Sequence, residues 1–486
     1  MNDPITRRSV LVASAATAFM TMSFARAAPG LGQRRQDIEI VRRTLDLHPG
    51  LLRYQSAQQL SDRFARFGRI FAGASSLEEQ FLALSAFTAT IRCGHTQCNP
   101  YNQSKSVVAT LLERPTRLPF EFEWIDRRMI VRADRGASGL FEPGTEIVSI
   151  NGLAAGDLLD RLLAFARADG GNDGKRIDQM AMRNIDRFET FDIFQGLLLP
   201  PAKGHFRCRY RTPAGRSDEI DLVAFTPTQR RATRHVLETD GTSAPIWTWR
   251  VEKGVAILGM PSWVVYNNKW DWQSWLDERL GQLNGAKGLI IDLRDNEGGN
   301  DCGDAILARL APADLYFPTY RRLVRYRRTP ADLDPYLDTW DDSFRSIGTA
   351  ATAASDGFFE LESTEIDKIT AKAPRLTVPV AALIGPTCSS ATFQFAHKAK
   401  QTGLVRLFGQ QSGGNLRGIN GSGFFFVRLP ESGLEFDLPI VGNFPRTPQP
   451  DRGVLPDVLI GKSQSDVASG RDRCFEAALT WILRDA

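Results

Sequence analysis

A chain of 486 residues, 42% hydrophobic and 24% charged, is too long for one ordinary core, so two or three globular domains are expected. Lys+Arg 60 against Asp+Glu 56 leave a formal charge of +4 spread without any run of five or six like charges, which excludes nucleic acid as the expected partner.

In chain order, Arg7-Arg8 precede Leu11, an apolar stretch runs to Phe24, and Ala25-Arg26-Ala27 follow. This charged, apolar, small-residue order is that of a secretory signal over 1–27, and the paired arginines resemble a twin-arginine signal. The apolar part falls short of the roughly 20 residues a membrane span needs. No comparable apolar run occurs after Ala27, so a soluble mature protein, periplasmic or secreted and with no stable membrane insertion, is expected.

Apolar residues at Ile38, Val41, Leu45 and then Leu60, Phe64, Phe67, Ile70, Phe71 have helical spacing, broken at His48-Pro49-Gly50. A third helix starts after Ser76 and runs to Ile91, with Gly94 expected to take the left-handed conformation that closes it. His95 then lies just past a helix end. These segments make a helical domain over 32–104. Strand-like runs at 120–124, 129–131 and 147–150, the Asn151-Gly152 turn and a helical pattern from Ala155 to Phe165 form a compact unit over 105–170. Residues 171–247 read as a β or irregular connection. From 248 to 486, the apolar runs 255–259, 288–292 and 378–384 alternate with helical segments, the pattern of an α/β sheet buried on both faces.

Six cysteines, at 93, 98, 208, 302, 388 and 474, are too few to frame the fold with disulfides. Cys93 and Cys98 flank His95, but three ligands without a second pair do not make a zinc site, so packing or a local disulfide is expected there. Whether Cys302 and Cys388 pair is a question of geometry.

Two turns can carry chemistry. The strand ending at Ile384 runs through Gly385-Pro-Thr-Cys-Ser389-Ser390 into a helix, placing a hydroxyl at a helix N-terminus where free N–H groups can stabilise an oxyanion. Cap serines share that position and are far commoner. The second turn, Asp292-Leu-Arg-Asp-Asn-Glu-Gly298-Gly299, also follows a buried strand, and paired glycines let backbone approach a substrate closely.

Together with Leu407-Phe-Gly-Gln-Gln-Ser-Gly-Gly414 and Gly453-Val-Leu-Pro-Asp457, these strings resemble the C-terminal processing (tail-specific) protease family, in family order. The resemblance implies an α/β fold with a crotonase/ClpP-like ββα catalytic core, an N-terminal helical domain and a PDZ-like α+β insert. It implies serine-type hydrolysis of polypeptides, with no cofactor and no metal. Familiar members take their base from a lysine at the position of Asn415, and an amide cannot serve as one. Cys93-Gly94-His95-Thr96 resembles the corresponding string of the tricorn-like branch, which uses a histidine, so His95 is the expected base.

The nucleophile is Ser390 or Ser389, with Ser390 favoured because an extra residue inside the following helix would rotate its packed face by about 100°. The expected oxyanion donors are Ala391 and one of Gly298 and Gly299. The resemblance places an acid near Gly453, and Asp451 is the candidate, with Asp457 in a structural turn. An esterase or acyl hydrolase with the same groups, or an inactive peptide-binding relative, are the rival readings.

Overall fold

The computed structural model describes residues 34–136, 139–234, 241–362 and 367–485; the expected signal at 1–27 lies outside them. Helices α1 (Arg34–Leu45), α2 (Ala57–Gly73) and α3 (Leu77–Thr90) form the N-terminal unit, followed by the short α4 (Lys105–Leu111). Ser56 and Gln59 cap α2 reciprocally, and the Ser76 side chain accepts from Glu79 N at the start of α3. The left-handed residue after α3 is Arg92 (φ 57°), not the expected Gly94. Glycine is needed at 94 for another reason: a Cβ there would stand 2.6 Å from Asp169 Oδ2.

The next unit is an antiparallel sheet with strands Phe120–Ile125, Arg128–Asp134, Glu146–Ile150, His205–Arg211 and Ser217–Val223 in that order. Asn151 (φ 50°) and Gly152 (φ 81°) make the two-residue turn that pairs Leu153–Ala154 back onto Glu146–Ile150. Helix α5 (Ala155–Leu163) packs on this sheet, with α6 (Asp173–Gln179) and α7 (Thr190–Leu198) beside it. The sheet thus continues past residue 170 through the hairpin 205–223, whose first strand buries every second residue. Helix α8 (Pro227–Ala232) follows.

The C-terminal unit is built on a sheet in the order Val458–Leu459, Arg406–Gly409, Val380–Ile384, Gly288–Asp292, Val255–Gly259, parallel throughout, with Thr248–Glu252 antiparallel at its edge. Alternate strand residues serve opposite faces. Ile291, Ala382 and Ile384 pack with helices α9 (Trp272–Gly281), α10 (Cys302–Leu310) and α11 (Ala391–Thr402). Ile290, Ala381 and Leu383 pack with α13 (Arg473–Asp485), which follows the short α12 (Gln464–Ser469). This two-sided burial explains why these strands are continuous apolar runs.

A third sheet centres on the hairpin Asn420–Arg428 and Glu435–Phe444. Its inner face shares one apolar core with α1 to α3 and with the antiparallel sheet. Among the described residues no helix is long and apolar enough to cross a membrane.

His48, 1% exposed, pins the start of the loop that carries His95. Its Nδ1 accepts from Gly50 N at 3.0 Å, so its proton sits on Nε2 and donates to Thr96 Oγ1 at 2.9 Å. Burial, aided by the Arg53 charge, lowers its pKa to about 3. As pH falls below about 6.5 the unfolded chain takes up a proton at His48 that the folded chain refuses, so stability is lost between there and pH 3. That loss is expected to be about 2 kcal/mol at pH 5. Urea unfolding at pH 7 and pH 5 checks it: His48→Asn, which keeps an acceptor for Gly50, should lose less on acidification than the parent by that amount.

Candidate active site

Val380–Ile384 leads through a tight turn into α11, and Ser390 occupies the N-cap position. A capping serine has extended backbone and an oxygen on a first-turn N–H. Ser390 has neither: φ is 51°, ψ is −126°, and its side chain makes no capping bond. A non-glycine residue held in this sparsely populated region marks a strained strand-to-helix turn, the arrangement that presents a hydroxyl as a nucleophile. Ser389 is 5% exposed and its hydroxyl is engaged, accepting from Lys175 Nζ at 2.5 Å and donating to the Glu297 carbonyl at 3.3 Å.

The glycine loop lies directly against this turn. A Cβ on Gly298 (φ 105°) would come within 2.9 Å of Ala391 N and Ser390 Cβ, and one on Gly299 (φ 136°) within 2.1 Å of Trp263 O. Asn296, fully buried, locks the loop: its Nδ2 donates to Met260 O at 2.7 Å, and its Oδ1 accepts from Gly298 N at 2.8 Å and Thr392 Oγ1 at 2.7 Å. The Gly298 N–H is therefore committed within the loop. Among the described residues the N–H groups of Gly299 and Ala391 have no acceptor.

His95 reaches the same region from the loop after α3. Asp169 Oδ1 accepts from Gly94 N at 2.9 Å, and Arg167 Nη1 donates to Gly94 O at 2.7 Å, so the peptide groups on both sides of Gly94 are held. The imidazole lies 5.6 Å from the Phe424 ring, and its Nδ1 is buried without a partner. Burial pushes its pKa below the ordinary value; Asp169 opposes this, while Arg167 and Lys175 add to it.

A charge cluster joins the two halves. Glu297 takes Arg167 Nη2 on Oε2 at 3.0 Å and Lys175 Nζ on Oε1 at 3.3 Å. The two cations hold its carboxyl well below the usual range against the cost of burial. Burial pulls Lys175 down from its ordinary value and Glu297 holds it up.

Asp451 sits farther back. Its Oδ1 accepts from Gly171 N at 2.8 Å and from Asn415 Nδ2 at 2.7 Å, and Asn415 also reaches the Asp169 carbonyl at 3.2 Å. No hydrogen bond joins Asp451 to His95; the carboxylate whose charge acts most on that ring is Asp169. Asp457 accepts from Leu407 N at 2.8 Å and pairs with Lys400, which is a structural use. The cysteines are all buried free thiols, Cys93 and Cys98 included, as are Cys302 and Cys388. Among the described residues no three His, Cys, Asp or Glu side chains are grouped as metal ligands.

Sequence reasoning missed Arg167, Asp169, Lys175 and the Glu297 side chain. The available signal was the run Arg167-Ala-Asp-Gly-Gly-Asn-Asp-Gly-Lys175, four charges and three glycines, whose last three residues open α6. Within it Gly170 (φ 56°) is pressed against Asp451 Oδ1.

Residues 254–438 match the model of Peptidase family S41. No curated protein matches the chain. The fold is similar to that of mature CPAF, solved in complex with lactacystin, at 15% identity, covering 93% of this chain and 97% of that one with a TM-score of 0.61. Weaker likenesses are to the photosystem II D1 C-terminal processing protease, at 12% identity, 88% and 93% coverage and a TM-score of 0.41. The tricorn protease matches at 14% identity, 93% of this chain and 37% of that one, with a TM-score of 0.37.

Glu297 is 45% exposed whereas Lys175 is 1% exposed, so removing the carboxylate strands a buried ammonium. Glu297→Gln is expected to cost about 3 kcal/mol, the low end for a broken buried pair because Glu297 itself meets solvent. Adding Lys175→Met should recover most of it, since no unpaired charge then remains. Urea denaturation of the two variants against the parent measures both steps.

Proposed function

Because this chain carries a peptidase family S41 domain, and with it the serine-type hydrolase chemistry of a family that acts on polypeptides, we propose that it is an exported peptidase cleaving extended or unfolded chains with Ser390 as nucleophile and His95 as base. The observation that carries the reading is the Ser390 hydroxyl, held at a strained turn it does not cap, beside a glycine loop and two N–H groups without acceptors.

In this reading Ser390 Oγ attacks the scissile carbonyl carbon while His95 accepts the hydroxyl proton. The carbonyl oxygen becomes an oxyanion facing the N–H groups of Gly299 and Ala391. Collapse of the tetrahedral species breaks the C–N bond, and His95 returns the proton to the departing amine. Water, deprotonated by His95, then hydrolyses the acyl-enzyme and restores Ser390. Asp169 supports the imidazolium that forms, and Asp451 braces the Asp169 segment through Asn415. Lys175 positions the turn and the glycine loop, since it touches Ser389 and Glu297 and not the attacking oxygen.

Labelling of the purified protein with a fluorophosphonate tests the assignment. Ser390→Ala should abolish labelling and His95→Ala should slow it at least about 100-fold, whereas Ser389→Ala should leave Ser390 labelled. A folded parent that takes no label would instead favour a peptide-binding relative. Hydrolysis of ester probes without peptides would favour an acyl hydrolase.

The pH profile follows from the burial of His95. Only the neutral imidazole accepts a proton, so kcat/KM should fall as pH drops through a pKa lying below 6.5. Asp169→Asn removes the charge that raises it and should move the acid limb to still lower pH. An acid limb above pH 6.5 would show that another group is the base.

A further inference from the structure

A cavity of about 40 Å³ lies between α3, the loop after His95, and the helices α6 and α7. Its apolar walls include Phe81, Phe165 and Phe194, and its polar groups include Ser85 and Gln179. Both polar atoms of the Gln179 amide, Nε2 and Oε1, are buried there without a hydrogen-bond partner, while Ser85, 3% exposed, turns its hydroxyl to the Cys98 thiol. Because both ends of the Gln179 amide are unpartnered, exchanging its oxygen and nitrogen changes nothing. Buried orphans of this kind cost about 1–3 kcal/mol each, and protein interiors rarely keep both ends of one amide unpaired without something to bind.

The cavity is placed beside the proposed chemistry on two sides. Gln179 is one helical turn from Lys175 on α6, about 6 Å along the same face, and Lys175 touches Ser389. On the opposite wall Thr96 and Gln97 directly follow His95, and Arg167 bridges Gly94 and Glu297. Space this close to nucleophile and base is where a substrate side chain would lodge.

The lining selects the chemistry. It contains no Asp or Glu to neutralise a cation, and the Arg167 guanidinium is already paired with Glu297, so neither charge is invited. A purely apolar side chain would leave both ends of the Gln179 amide unpaired. The volume holds about three water-sized groups, at 10–15 Å³ of cavity for each. The carboxamide at the end of a side chain, three non-hydrogen atoms, matches that space, and an aromatic ring of six exceeds it. One amide offers a donor and an acceptor together, the complement of the Gln179 amide.

We propose that this cavity is a specificity pocket for an uncharged, amide-bearing side chain, glutamine or asparagine, of a polypeptide substrate. The proposal rests on the peptidase reading above.

The experiment compares matched synthetic peptides that differ only by glutamine or leucine at the position found enriched near the cut when a denatured protein mixture is digested and its new termini sequenced by mass spectrometry. The parent should favour glutamine over leucine at least about tenfold in kcat/KM. Gln179→Leu and, independently, Ser85→Val should each bring that ratio below about twofold, a ratio taken within one variant and so insensitive to the amount of folded enzyme. A parent that takes the fluorophosphonate label yet shows no preference means that the cavity holds ordered water only, and overturns the pocket alone. An unchanged ratio in both variants overturns it too. A folded parent that neither labels nor cleaves overturns the peptidase reading, and this pocket with it.

Discussion

The carboxylate of Glu297, held between Lys175 and Arg167, is the contact on which the geometry of the site depends. The groups that could perform chemistry are drawn from different units: His95 follows the N-terminal helices, Ser390 and the glycine loop belong to the parallel sheet, and the two cations flank the antiparallel sheet. Apolar packing between such units is tolerant of small slides, because it has no direction. Ion pairs and hydrogen bonds have direction, and here they converge within one short segment. Arg167 and Asp169 hold the peptide before His95, Asn172 Nδ2 reaches Ser412 O at 2.8 Å and Gly414 O at 3.0 Å, and Lys175 closes on Ser389. Segment 167–175 therefore fixes the loop that carries His95 relative to the turn that carries Ser389 and Ser390.

The second constraint is conformational strain, and it explains the sequence of the two active turns. Ser390 at φ 51° costs of order 1–3 kcal/mol, which surrounding structure must offset. Asn296 does much of this by tying together the end of strand Val255–Gly259 through Met260, the glycine loop, and Thr392 in the first turn of α11. Glycine at 298 is then obligatory for a local reason, since the loop passes so close to Ser390 that no Cβ fits. The Asn-x-Gly-Gly string and the Ser-Ser-Ala string are two sides of one contact.

Much of this was legible beforehand because it is local. Two-sided burial makes 255–259, 288–292 and 380–384 continuous apolar runs, and the Asn151-Gly152 hairpin announces itself by residue type. Ser76 was readable as a cap for the same reason. What escaped depends on contacts far apart in sequence. Gly94 is glycine because of Asp169, 75 residues away, and nothing near Gly94 says so. Lys175 sits 214 residues from the serine it touches, in a stretch whose glycines and charges read as a connection. The hairpin 205–223 was assigned to that connection because its outward residues are strongly polar, yet its inward ones complete the antiparallel sheet.

Burial lowers both Lys175 and His95 from their ordinary values, and the two differ in the partners they are given. A base must be neutral before it acts. Lys175 donates to Ser389, which itself donates to a carbonyl. A carboxylate at 3.3 Å favours the charged form of the lysine by about 5 kcal/mol at an effective dielectric of about 20, less the screening that a half-exposed Glu297 admits. His95 has no such partner on Nδ1, and burial together with Lys175 and Arg167 disfavours its cation. Glu297 upholds the Lys175 charge against burial, and that charge in turn disfavours a cation on His95. The contacts that hold Ser389 and the glycine loop and the charges that act on the His95 ring thus belong to one cluster.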